Sequence, residues 1–311
     1  MKIGLAAKYS KLEWDQYRLG LSEEKILDQY KQQNKDVEKI LQSHSRQKRN
    51  IEVLLNKLGS AEIVDILAIT KGKSAKPELD MLIAMGGDNF FQICSHYFAD
   101  NYLVGVNTDP LTSKWVLLKF NSETLSLELE NILNEKFKVE EWSRISTKLQ
   151  NQQLENANCT VALSIKATDQ ISRYLLSMEK ELGKIDSEEQ KFTGILVVSG
   201  AGSEKGAWYR NAGLYLPMIN SKLYPNATTA FSFSKSVIKT LVREPMDGED
   251  CHYKWLNQTI PAGQTLKLKY WANDISELSI DSIKRYDVKE GDELEFSVSD
   301  KKLRVVVPSS K

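Results

Sequence analysis

Hydrophobic and polar positions along this chain follow two different rhythms. The first part alternates short apolar runs with longer stretches of helical period. Residues 2–7 predict a first strand, "EIVDILAIT" (62–70) a second, "DMLIAM" (80–85) a third and "YLVGVN" (102–107) a fourth. The run at 80–85 is almost continuously apolar, as expected of a strand covered on both faces. The long polar segment between strands one and two reads as mostly helical. Ser22 is placed to cap a helix whose first turn holds Glu23 and Glu24. Ile51, Leu54, Leu55 and Leu58 recur at i, i+3, i+4 and i+7, which predicts one buried stripe, and Gly59 ends it. "NFFQICSHYFAD" and "SETLSLELENILNEKF" predict two further helices. Strand and helix in alternation imply a doubly wound parallel sheet with ligands at the carboxyl ends of its strands.

Beyond about residue 145 the rhythm changes. "TVALSIKAT", "ISRYLLSM", "GILVVSG", "TLKLKYW", "ELEFSV" and "LRVVVP" are short, rich in β-formers and separated by Gly, Asp, Asn and charged turns. "FSFSKS" (231–236) reads as one more, exposed, strand. The fold class is therefore α/β plus β. An N-terminal α/β domain covers 1–145, a mainly β domain covers 146–285, and C-terminal strands in 286–311 are expected to return to the first domain as a hairpin-like ending.

Composition narrows the partners. The 311 residues include 42 Lys+Arg and 42 Asp+Glu, so no overall field draws the chain to nucleic acid or to a membrane surface, and neither is expected as a partner. No apolar run has the length of a membrane span. The first strand starts almost at residue 1, so a cleaved presequence is not expected. Cys94, Cys159 and Cys251 are scattered and form no CxxC, which argues against a disulfide framework or a zinc site. A reducing, cytoplasmic location follows, and the Asn-x-Ser/Thr matches at Asn158, Asn226 and Asn257 are then chance.

The candidate chemistry sits at "AMGGDNFFQ", where two glycines and an aspartate join a buried strand to a helix. Gly86 and Gly87 would let a ligand approach the backbone, and the helix N-terminus that follows suits phosphate. Asp88 could accept a hydroxyl proton or help hold Mg²⁺; alternatively it only caps the helix. Among other residues, His96 reads as packing on an apolar helix and His44 as solvated. The Cys251–His252 pair has no further ligands nearby in sequence, and Ser203 has no evident His/Asp partners. Arg243 in "VREP" is the basic residue to watch for phosphate contact.

"GGD" at a strand end followed by "GVNTDP" (105–110) resembles the NAD kinases, which share their core with diacylglycerol and sphingosine kinases. The form "GVNTDP" is most similar to the mitochondrial-type members. "AAKYSKLEWDQYRLGLSEEKI", "HSRQKRNIEVLLNKL", "SGAGSEKGAW" (199–208), "VREP" and "SIDSIKRYDVKEGDELEFSVS" follow in the order of that family, with the likeness weak between about 120 and 190. The resemblance implies ATP-dependent phosphorylation of the adenosine-ribose 2′-hydroxyl of NAD, with ATP, NAD and Mg²⁺ as ligands and cofactor. It implies that Asp88 contacts and activates the hydroxyl. Gly86, Gly87 and Asn89 would shape the phosphate side, and Asn107 and Thr108 would line the same cleft. Gly200, Gly202 and Ser203 would form a second glycine loop, with Ala207 and Trp208 near adenine or ribose. A homodimer through the β-domain is implied as well.

Three positions depart from the family pattern. Asn89 replaces the last glycine of GGDG. Ser164-Ile165 stands where the family has the Asn-Glu of "ALNE", with Asp169 as a candidate replacement carboxylate. "SGAGSEKGAW" is longer than the family's loop by residues that include Glu204 and Lys205. These changes allow two alternatives, a nucleotide-binding protein without catalysis and a kinase for another hydroxyl acceptor.

Overall fold

A computed structural model of the chain describes residues 1–309 apart from 168–169, 180–182, 206, 220–227 and 247–252. Asp169, Asn226, Cys251 and His252 lie outside the described residues. The chain forms two compact units, Met1–Glu140 with the residues from Arg304 on, and Glu141–Leu303.

The first unit is built on a parallel sheet. Strands Ile3–Ala7, Met81–Gly86, Tyr102–Asn107 and Leu303–Val307 lie side by side, with Glu62–Ile63 at one edge and Lys138–Trp142 at the other. Phe120–Asn121 pairs with the end of Tyr102–Asn107. One face carries large side chains, Ile3, Leu5, Met81, Ile83, Met85, Val104 and Val106. They pack on Leu54 and Leu58 of helix Val37–Leu58 and on Leu125, Leu129 and Ile132 of helix Ser122–Leu133. The other face is lined by small residues, among them Ala6, Ala84 and Gly105. A Cβ on Gly105 would lie 2.8 Å from the Phe91 ring, so its absence lets helix Asp88–Tyr97 sit close to the sheet. Each core Leu or Ile fully removed from water contributes about 1.5–3 kcal/mol.

Local chemistry changes several elements. The expected second strand shrinks to Glu62–Ile63, because Asp65 accepts from Ala68 N at 3.0 Å and starts helix Ile66–Thr70 inside the apolar run. Ser22 precedes helix Glu23–Gln32 without a side-chain capping bond. Full capping boxes are at Ser10 and Glu13, at the head of helix Lys11–Leu19, and at Asn121 and Thr124, at the head of helix Ser122–Leu133.

The second unit holds two six-stranded antiparallel sheets. One runs in the order Ile185–Phe192, Ser172–Glu179, Thr265–Tyr270, Glu293–Val298, Ile145–Leu149, Gln152–Gln153. The other runs Thr259–Pro261, Val237–Arg243, Gly194–Val198, Thr160–Ile165, Ser276–Ile280, Lys284–Val288. Leu176, Leu268 and Leu294 of the first and Leu163, Ile195, Val242 and Leu278 of the second share one core. The two last strands are not a hairpin. Glu293–Val298 pairs inside the second unit and only Leu303–Val307 joins the first, pairing with Tyr102–Asn107. "FSFSKS" forms no strand; Phe231–Lys235 is irregular and packs on a glycine turn instead.

Candidate functional site

Register builds the first loop. Gly86 and Asn107 are paired neighbours at the carboxyl ends of adjacent parallel strands, so Gly86–Gly87–Asp88 and Asn107–Thr108 emerge side by side. Gly87 is the extended N-cap, with φ −115° and ψ 179°, and Asp88 opens the helix. Asn89 already has helical backbone and is exposed, so no left-handed conformation is required there and asparagine replaces glycine without strain. Gly86 is packed, since a Cβ would lie 2.9 Å from Lys8 Cβ and from Phe90. Gly87 is not packed; its nearest neighbour would be Ser113 Oγ at 3.7 Å. Glycine at 87 thus leaves open space beside the first turn of a ten-residue helix, where backbone N–H groups lack intrahelical acceptors.

Asp88 does more than begin the helix. Its Oδ2 accepts from Val116 N at 2.9 Å and its Oδ1 from Leu117 N at 3.0 Å. The carboxylate therefore anchors the segment that leads back to Phe120–Asn121. Asn107 anchors the same excursion from its other end, donating to Ser113 O at 3.1 Å and accepting from Asp109 N at 2.9 Å. Asn107 and Thr108 are buried, and the Thr108 carbonyl accepts from Asn50 Nδ2 at 2.9 Å. Asp109 fastens the loop to helix Val37–Leu58 by accepting from Ser43 and Arg46, and it accepts from Thr112 within the loop. Burial acts most strongly on Asp109 and raises its pKa; the three hydrogen bonds and the Arg46 charge together outweigh it and hold the carboxyl below the usual range.

The second loop is in the other unit. Ala201–Ser203 is a tight 3₁₀ turn entered through Gly200. Ser203 is fully buried, donating to Gly200 O at 2.7 Å and accepting from Phe231 N at 3.0 Å. A Cβ on Gly200 would collide with Ser232 O, and one on Gly202 with Cys159 O. Asp281 secures the neighbouring strand start by accepting from the backbone N–H groups of Asn158, Cys159 and Thr160 at 2.6, 2.9 and 2.9 Å. Lys239 stands over the Phe231 ring, 5.4 Å from its centroid, and burial, then the charge of Lys235, lowers its pKa. Trp208 opens the short helix Trp208–Ala212 and its ring receives the Arg243 guanidinium.

Gly86, Gly87, Asp88, Asn89, Asn107 and Thr108 are thus one neighbourhood in the first unit. Gly200, Gly202, Ser203 and Trp208 are a neighbourhood in the second. Ser164 faces outward while Ile165 is a core residue, as strand alternation demands, so the Ser-Ile dipeptide cannot present two side chains to one ligand. Sequence reading did not single out Asp109, Asp281 or Arg46. The signal for Asp109 was its place directly after the Asn107 turn. Among the described residues no three His, Cys, Asp or Glu side chains are grouped as a metal site. No helix among them is long and apolar enough to cross a membrane.

No family model matches the sequence. A probable NADH kinase from rice (Oryza sativa subsp. japonica) is 23% identical over 268 residues, which is 79% of this chain and 77% of the rice protein. Yeast NADH kinase, solved in complex with NADH, aligns over 79% of this chain with a TM-score of 0.60 and 15% identity. The chain spans 65% of the yeast protein's length. An NAD kinase from Archaeoglobus fulgidus, solved in complex with ATP, aligns over 99% of this chain and 94% of its own with a TM-score of 0.62 and 13% identity. The architecture is therefore that of the NAD kinases. In sequence as well as in fold, the chain is NAD kinase-like.

Proposed function

We propose that this chain is an ATP-dependent kinase that phosphorylates the adenosine-ribose 2′-hydroxyl of NAD or NADH. The observation that carries the reading is the unpacked Gly87 beside Asp88 at a helix N-terminus, in register with Asn107, on a sheet of the NAD kinase type. NADH is included because the rice and yeast relatives are both named NADH kinases. In the reaction the 2′-oxygen attacks the γ-phosphorus in line, the bond to the β–γ bridging oxygen breaks, ADP leaves and Asp88 takes the hydroxyl proton. Asp88 keeps acceptor capacity for this, since each carboxylate oxygen has a second lone pair beyond its backbone N–H bond. Mg²⁺ would supply charge neutralisation on the phosphates, and with Asp88 as the carboxylate of the loop it would be held mainly by the nucleotide. The two units are proposed as the two working domains, each with one glycine loop. A homodimer is part of the proposal, to be checked by light scattering on the purified protein.

The test is NADP or NADPH formation from ATP, Mg²⁺ and NAD or NADH. Wild type turns over, and Asp88→Asn loses roughly 10²–10⁴-fold in kcat. Because Asp88 also anchors Val116 and Leu117, ATP binding by the variant is measured alongside. Absence of product from a folded wild type that binds ATP refutes the kinase reading.

A further inference from the structure

The outer face of the sheet that leads into the second glycine loop carries a polar row that the proposed reaction does not use. Arg243, Gly194, Ser164, Glu277 and Asp287 stand side by side across adjacent strands. Gly194 has no room for a side chain, because a Cβ would collide with the Leu163 carbonyl oxygen. The strand backbones press together there, and no side chain stands between Arg243 and Ser164. Arg243 reaches over Gly194 and donates from Nη1 to Ser164 Oγ at 2.8 Å. The same guanidinium lies 4.6 Å from the centroid of the Trp208 ring, and Trp208 is 48% exposed.

The described carboxylates on this face and beside this arginine in sequence are committed elsewhere. Glu277 binds Arg285 at 2.8 Å, Asp287 binds Lys166 at 2.6 Å, and Glu244 accepts from Thr193 Oγ1 at 2.6 Å. Among the described residues no carboxylate pairs with Arg243. Its position is nonetheless restrained twice, by a hydroxyl at one end and by an indole plane along its side. A guanidinium fixed in this way presents its remaining N–H donors as a planar fork, the shape that matches two oxygens of a phosphate. Ser164, accepting from Arg243, keeps its own proton for donation to the same group.

We propose that Arg243, Ser164 and Trp208 form a receptor for a phosphate chain, with Arg243 as the principal binding residue. The inference rests on reading the chain as a nucleotide-binding protein and is independent of turnover. Its ligand is the phosphate chain of a nucleotide or free pyrophosphate, and the measurement separates the two.

The full chain is titrated with pyrophosphate, ATP and NAD at low salt while tryptophan fluorescence is followed. Subtraction of the Trp208→Phe titration isolates the Trp208 signal. A saturable response to pyrophosphate or ATP is expected, weakening as salt rises. Response to both, or to ATP alone, assigns the receptor to nucleotides; response to pyrophosphate alone assigns it to the free ion. Arg243→Ala weakens binding at least tenfold and Arg243→Lys several-fold, because lysine keeps the charge and loses the fork. Arg173→Ala, on the other sheet of the same unit, leaves affinity unchanged. Equal affinity for wild type and Arg243→Ala overturns the proposal, as does an equal loss in Arg173→Ala, which would mean a diffuse field. Should Arg243→Ala fail to fold, unchanged affinity in Arg243→Lys overturns it. Arg243-dependent binding without NADP or NADPH formation leaves this inference standing and removes the kinase reading. Turnover with unaltered KM for ATP and NAD in Arg243→Ala does the reverse.

Discussion

At Gly87 an added side chain would enter open space, whereas at Gly202 it would strike the carbonyl of Cys159. Both glycines belong to loops that read alike in sequence, a short glycine cluster following a buried strand. In the first loop the glycine does not support the surrounding packing and leaves room at the head of a ten-residue helix. In the second the glycines permit a knot, with Ser203 bonded on both sides and the backbone of Cys159 and Ser232 pressed against it. Glycine content alone therefore says little about ligand access. What separates an open cradle from a closed turn is the neighbour that a Cβ would meet.

Three substitutions sharpen this contrast. Gly202→Ala has the largest expected effect on stability, because backbone atoms must move to admit the methyl group. A loss of about 3 kcal/mol or more, or at least roughly 6–12 °C in thermal midpoint, is expected by calorimetry. A midpoint equal to that of wild type would show that the knot is looser than its packing implies. Asp109→Asn follows, with a loss of about 1.5–3 kcal/mol at neutral pH in urea unfolding, since charge-assisted bonds to Ser43, Thr112 and Arg46 are weakened. Asp109 has its folded pKa depressed, so its contribution is complete above the ordinary value near ~3.9 and disappears as pH falls through the depressed one. The difference between variant and wild type should accordingly close in acid; a gap independent of pH would assign the loss to packing. Gly87→Ala has the smallest effect on stability, within about 0.5 kcal/mol. Its consequence appears in ATP affinity, which is expected to drop roughly tenfold, or ~1.4 kcal/mol, by isothermal titration. Unchanged affinity would mean that phosphate does not enter beside residue 87.

Strands were legible either as alternation, as in Thr265–Tyr270 and Glu293–Val298, or as runs buried on both faces. Met81–Gly86 and Tyr102–Asn107 announce themselves as continuous apolar runs because helices cover each side. Glu62–Thr70 misled for the opposite reason: its apolar content is real, but Asp65 captures a backbone N–H and turns the chain into a helix after two strand residues. Lys138–Trp142 and Ile145–Leu149 passed unnoticed because their residues are largely polar, although Trp142, Ile145 and Thr147 are buried. At the site, the Gly-Gly-Asp loop was visible as local pattern, yet the demands of its positions were not. Position 89, where asparagine stands in place of the family's glycine, is plain helix and makes no demand for glycine. The bond from Arg243 to Ser164 could not be read at all, since it joins residues 79 apart in sequence and depends on the strand register that puts Gly194 between them.

The position of Leu303–Val307 has a consequence in time. This strand lies between Tyr102–Asn107 and Lys138–Trp142, inside the sheet that holds the Gly86–Asp88 loop. On a ribosome, residues 141–302, all of the second unit but Leu303 itself, emerge before it. The sheet of the first unit must therefore wait, with Tyr102 and Leu103 lacking their partner strand on one side and only Val106 and Asn107 paired there, by Phe120–Asn121, until the second unit has been synthesised. The unit begun first is the one completed last.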